Sequence, residues 1–138
     1  MVVATIPIKS AVFLFSLILF SCQNQINISE NELINGQDIQ KYIRSNEFTG
    51  TISVMYNNDI TLKSKRQYKK GKKNGQHEGW WPNGQKKYSF IFKNDMSEGE
   101  HFQWHQNGTL FTHKKFKNGL EDGEQKAWDT KGDLMYKY

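Results

Sequence analysis

Trp80, Trp104 and Trp128 stand 24 residues apart, and three further columns keep the same step without a gap. These are Gly75, Gly99 and Gly123; Gly84, Gly108 and Gly132; and Tyr68, Phe92 and Phe116, each followed by a lysine (Lys69, Lys93, Lys117). A short fixed period means that each copy is one supersecondary unit, able to bury its apolar face only against its neighbours. Clear copies fall at about 68–91, 92–115 and 116–138. A degenerate one occupies about 48–67, where Tyr56 stands 24 before Trp80. The chain has 138 residues, 36% of them apolar and 14% aromatic, with 11 glycines. That balance suits a thin, turn-rich β structure better than a thick two-sided core.

Each copy reads as a β-hairpin. In Trp81-Pro82-Asn83-Gly84, proline pre-sets the φ of a type I turn and glycine supplies the left-handed residue of a three-residue loop with a G1 bulge. Gln106-Asn107-Gly108 and Thr130-Lys131-Gly132 repeat the loop. With 81 paired to 85, and 80 to 86, even-numbered positions of both arms share one face. That face is expected to carry Trp80, Trp104, Trp128, Phe102, Leu110, Leu134, Tyr88, Phe90, Phe92, Phe116 and Tyr136. The other face is left to Gln, His, Lys, Asp and Ser. The expected fold class is all-β: an antiparallel β-hairpin repeat meander over 47–138, a single sheet with its aromatic ladder on one side.

The start of the chain reads as an address. Residues 11–20 hold ten uncharged, largely apolar side chains, about half of what a bilayer-spanning helix needs but enough for the core of a signal peptide. The run ends Leu19-Phe20-Ser21-Cys22, which resembles the lipobox of bacterial lipoprotein signal peptides. That resemblance implies cleavage after residue 21 and lipidation of Cys22, the chain's single cysteine. An ordinary secretory signal or an uncleaved anchor is the competing reading. Residues 22–46 then comprise the lipidated cysteine, a polar tether over 23–36 with no aromatic residue, and a short helix over 37–45. Ile39, Tyr42 and Ile43 are spaced for one face of that helix, suited to capping an open end of the sheet. The expected location is the bacterial cell envelope, outside the cytoplasm. The periplasmic face is favoured because no acidic cluster follows Cys22.

The pattern Tyr68-Lys69-Lys70-Gly71-Lys72-Lys73-Asn74-Gly75 followed by Trp80-Trp81-Pro82-Asn83-Gly84, repeated in Phe116-Lys117-Asn118-Gly119 with Asp122-Gly123, resembles the variant MORN repeat of bacterial proteins. Asp95 stands where a glycine is expected in the second copy, and Lys131 where the third turn should have asparagine. The resemblance implies hairpin arrays that scaffold interactions or lie near membranes, and some such proteins are labelled antitoxin components of toxin–antitoxin pairs. It carries no catalytic residues to this chain.

No residues assemble into a recognisable catalytic set: Cys22 belongs to the lipobox, and no serine sits in an elbow-like motif. A lone cysteine leaves neither a disulfide framework nor a cysteine-based zinc site. His101 and His105, four apart in a strand, lie about 13 Å from one another, too far to share an ion. His77 and His101 lie about 10 Å apart across an intervening strand. These histidines are expected on the exposed polar face, and no metal or cofactor is expected. The run Lys63, Lys65, Arg66, Lys69, Lys70, Lys72 and Lys73 contains no acid. It contributes to a formal net charge of +5. For an exported protein, anionic headgroups are better partners for such a run than nucleic acid. The third copy adds five acids, Glu121, Asp122, Glu124, Asp129 and Asp133. Trp80, Trp81, Trp104 and Trp128 are either core between neighbouring copies or, if left bare, a surface that stacks on sugars or a partner. The expected function is non-enzymatic: a lipid-anchored envelope protein whose sheet binds or scaffolds a protein partner. The alternatives are a glycan- or headgroup-binding module, or an antitoxin-like inhibitor of a secreted or membrane toxin.

Overall fold

The computed structural model describes residues 4–5, 24–29, 36–57 and 60–138. Cys22, the apolar run 11–20 and the Asn58-Asp59 pair lie outside them. The described residues are mostly strand. In chain order the elements are β1 (Ala4–Thr5), β2 (Asn24–Ser29), α1 (Gly36–Ser45), β3 (Gly50–Met55), β4 (Leu62–Lys69), β5 (Lys72–Trp80), β6 (Lys86–Lys93), β7 (Met96–Ser97), β8 (Gly99–Trp104), β9 (Leu110–Lys117), β10 (Leu120–Glu121), β11 (Lys126–Trp128) and β12 (Leu134–Lys137). They form one open sheet in the order β1-β2-β3-β4-β5-β6-β8-β9-β11-β12, with β7 on β6 and β10 on β9. From β3 onward every pairing is antiparallel; β1–β2 and β2–β3 are parallel.

Strand β2 corrects part of the spacer expected over 23–36. Its residues read NQINIS, and Ile26 lies opposite Ile52 while Ile28 lies opposite Val54. The polar average of the segment conceals an alternation of period two, and that alternation is what a strand needs.

Two kinds of turn alternate along the meander. At one edge, Trp81 N donates to Gln85 O and Gly84 N to Trp81 O, closing a three-residue loop with Gly84 at φ 83°. The same two bonds recur at His105/Thr109 with Gly108, and at Asp129/Asp133 with Gly132. At the other edge the central pairs are Lys70-Gly71, Asn94-Asp95 and Asn118-Gly119, all with positive φ, the geometry of type I′ turns.

The expected single aromatic face is corrected. Trp80 does pair with Lys86, but the register shifts between Gly79 and Trp80, so Gly79 pairs with Tyr88 and His77 with Phe90. Equivalent shifts fall between Gln103 and Trp104 and between Ala127 and Trp128. Each bulge inserts one residue, and with a side-chain period of two this flips the remainder of the arm to the opposite face. Tyr88, Phe90, Phe92, Phe116 and Tyr136 therefore lie on the face that carries α1. Trp80, Phe102, Trp104 and Trp128 lie on the opposite face.

The core sits at the helix end. Ile43 of α1 is fully buried against Phe48, Ile52, Val54 and Tyr68, with Ile26 and Tyr42 packed at its margin. The side chain of Ile39 lies outside the described ones. The helix caps one end of a one-layer sheet, and the strands beyond β5 depend on the packing of neighbouring side chains.

Candidate binding groove and the ladders that build it

On the helix-side face, rings alternate across the strands. Tyr68 meets His77 at 5.2 Å between centroids, His77 meets Phe92 at 4.9 Å, Phe92 meets His101 at 5.5 Å and His101 meets Phe116 at 4.6 Å. Phe48 and Tyr42 extend the row to α1. The imidazoles are fastened as well as stacked: His77 Nε2 lies 2.7 Å from Gln67 O and His101 Nε2 lies 2.8 Å from Ile91 O. A carbonyl only accepts, so in the neutral rings Nε2 carries the proton. Gln125, 24 residues after His101, uses its amide for the same reach to Lys115 O at 3.2 Å.

This overturns the expectation that the histidines are exposed. His77 and His101 are only 3% and 6% exposed. Desolvation is the main influence on both, lowering His77 to about 4 and pulling His101 down from its ordinary value. The 24-residue step from His77 to His101 was visible in the sequence. So was their placement on the face opposite Trp80 and Trp104; what was not is that the bulges bring Phe90, Phe92 and Phe116 of the return arms onto that face and bury them.

A second ladder fastens the loop edge. The carbonyls of Trp80, Trp104 and Trp128 each accept a bond from the preceding hairpin: Tyr56 OH at 2.8 Å, the Trp81 indole Nε1 at 3.1 Å and His105 Nε2 at 3.0 Å. Asn83 Nδ2 donates to Gln106 O, and Asn107 Nδ2 to Thr130 O. Asn83 and Asn107 also accept from the amides of Gln85 and Thr109. In the third loop, where Lys131 replaces asparagine, Asp129 Oδ1 accepts from Lys131 N and Asp133 N instead.

Across these three loops lies a groove of about 520 Å³ lined by Trp81, Trp104, His105, Gln106, Asn107, Phe111 and Thr130. The His105 and Phe111 rings meet at 4.8 Å. Of the four tryptophans singled out by sequence, the structure brings Trp81 and Trp104 together here. Trp80 packs on the opposite face beneath the Lys86 ammonium, and Trp128 contributes its carbonyl to the loop-edge ladder. All four are half-buried. His105 and Phe111 are groove residues that the sequence reading missed. Their signal lay in the repeat columns: Trp81 aligns with His105 and Asp129, and Lys87 with Phe111 and Met135.

The basic run does not form one patch. Arg66 reaches the Tyr88 hydroxyl and Lys73 lies over the Phe92 ring, both on the helix-side face. Lys63 lies over Tyr56. Lys65 stands opposite Glu78, and Lys69 opposite Lys72, on the other face, with Lys70 in the turn. Alternation along β4 divides a contiguous charge run between two sides. At the far end the acids are paired: Glu121 with Lys114, Asp122 with Lys115, and Glu124 with both Lys126 and Lys137. The two lysines hold Glu124 at about 2.

Among the described residues, no group of three or more His, Cys, Asp or Glu is placed to hold a metal ion. No helix among them is long and apolar enough to cross a membrane. No family model, curated protein or solved structure matches the chain.

Proposed function

We propose that this chain is a lipid-anchored protein of the bacterial envelope whose sheet, a 24-residue hairpin repeat of the variant MORN kind, binds a protein partner without catalysing a reaction. The anchor rests on the apolar run 11–20 ending at Cys22. On that reading β1 leaves with the leader and β2 becomes the strand at that edge. The repeat is supported by side chains 24 apart that make equivalent bonds, His77 with His101 and Trp81 with His105.

The observation that carries the binding role is the half-buried row Trp80, Phe102, Trp104 and Trp128 on the face opposite α1. Phe102 stacks on Trp104 at 5.8 Å and on His113 at 4.5 Å, so the row is ordered before anything binds. Aromatic surface of this kind, ordered yet only half covered, is what protein interfaces draw upon. In-cell crosslinking of the tagged full-length chain tests the reading. One recurrent, near-stoichiometric protein should be captured, and Phe102→Ala should abolish capture while the sheet stays folded. Recovery of no protein in repeated experiments overturns it. Cys22→Ser should move the chain out of the membrane fraction.

A further inference from the structure

We infer that the groove across the three-residue loops is a binding site for a neutral saccharide, adjoining the protein-binding face at Trp104. Its aromatic lining residues are Trp81, Trp104, His105 and Phe111, and its polar ones Gln106, Asn107 and Thr130. No lining side chain is a carboxylate, ammonium or guanidinium, in a chain that is 24% charged. The ammonium beside the groove, that of Lys87, is not among the lining groups and is engaged over the Trp81 ring at 4.2 Å. A sugar presents C–H faces that pack on aromatic rings and hydroxyls that need uncharged hydrogen-bonding partners. The volume is within the range of small-ligand clefts, ~300–1,000 Å³.

The groove is also built in advance. Trp81 is held by its bond to Trp104 O, and His105 by its bond to Trp128 O. Asn107 is committed to Thr130 O and to Thr109, which fixes the loop. Among the described residues, the Gln106 amide and the Thr130 hydroxyl have no hydrogen-bonding partner, so they are available to a ligand.

Repeat logic isolates the same residues. The loop-edge bond needs only a ring nitrogen at the 81/105 column, since His105 makes it as Trp81 does. Lys87 and Met135 show that no ring is needed at the column of Phe111. Trp81 packs under the Lys87 ammonium and Phe111 on the His105 ring, yet neither column requires an aromatic ring of that size, and both residues line one groove.

The test uses the full chain in a sugar-free detergent, titrated calorimetrically to millimolar concentration with tetra-N-acetylchitotetraose and, in a second arm, maltotetraose. Trp81→His and Phe111→Lys import side chains that neighbouring copies already carry at these columns. Each should weaken binding about tenfold or more, whereas Met135→Ala should leave it unchanged. The Trp81 indole N–H resonance should shift on titration of the unsubstituted chain, a readout that does not depend on any variant folding. Binding in one arm only identifies whether the N-acetyl group is read. Binding of neither saccharide, binding that survives both substitutions, or preference for a proline-rich peptide over both saccharides overturns the inference. Because Phe102 lies outside the groove and Trp81 and Phe111 lie outside the partner-binding row, failure of the crosslinking experiment and failure of the titration are distinguishable.

Discussion

The imidazole of His77 lies between Tyr68 and Phe92 with its Nε2 2.7 Å from the carbonyl oxygen of Gln67. Arg66 and Lys73 add positive charge nearby and Asp95 opposes them, but burial dominates and brings the ring to about 4. The fold therefore prefers the neutral ring. As pH falls, the unfolded chain takes up a proton near the ordinary value of about 6.5, whereas the folded chain does so only near 4. Stability contributed by His77 is complete above that ordinary value and is lost between there and about 4, by roughly 3 kcal/mol. His101 acts in the same direction. Urea midpoints at about pH 7.5 and about pH 4.5 should diverge less in His77→Gln than in the unsubstituted chain. Equal divergence would show that this ring is not what titrates.

Gly79 lies opposite Tyr88, and a Cβ at Gly79 would run into the Tyr88 ring. Gly79→Ala should cost about 1–3 kcal/mol, the range for overpacking. Adding Tyr88→Ala should relieve part of that cost, so a double-mutant cycle should give a clear coupling energy. Additive costs would place the clash elsewhere.

Asp95 takes φ 69° where the first and third copies use Gly71 and Gly119. Its Oδ1 accepts from Lys73 N at 2.8 Å, and its own amide donates to Lys73 O at 2.9 Å. Asp and Asn tolerate left-handed backbone better than other L-residues. Asp95→Asn should melt close to the unsubstituted chain. Asp95→Ala should lose about 1–3 kcal/mol through the lost acceptor and the strain.

Ile43 has no exposed surface. Ile43→Ala should cost about 2–5 kcal/mol. In a quasi-one-dimensional array that loss is local. Amide exchange should accelerate first in β3 and β4, with β8 and β9 keeping their protection longest. Uniform acceleration across the sheet would instead show that the array unfolds as one unit.

Much of the plan was legible where local chemistry speaks alone. Pro82 and Gly84 specify their loop, and Tyr42 and Ile43 mark the helix face that meets the sheet. What escaped was the bulge. A one-residue insertion opposite Trp80, Trp104 and Trp128 leaves the 24-residue spacing of these tryptophans untouched, yet it turns each return arm over relative to its outgoing arm. His77 and His101 therefore counted as polar surface when they are rungs of a core. The groove escaped for a related reason. Trp81, Phe111 and Thr130 belong to different hairpins, and only the stacking of one loop on the next makes them neighbours. In β2, Ile26 and Ile28 were lost in the polar average of their segment.

The Trp80, Trp104 and Trp128 carbonyls have a mechanical consequence. At the loop edge, hairpins are clasped by Tyr56, Trp81 and His105; at the opposite edge, the Gly71, Asp95 and Gly119 amides reach back to Phe48, Lys73 and Ser97. A force drawing β2 and β12 apart loads these clasps in series, so one hairpin must yield before the next bears full tension. Under load the molecule should lengthen in steps of a hairpin each, behaving as a short extensible strap.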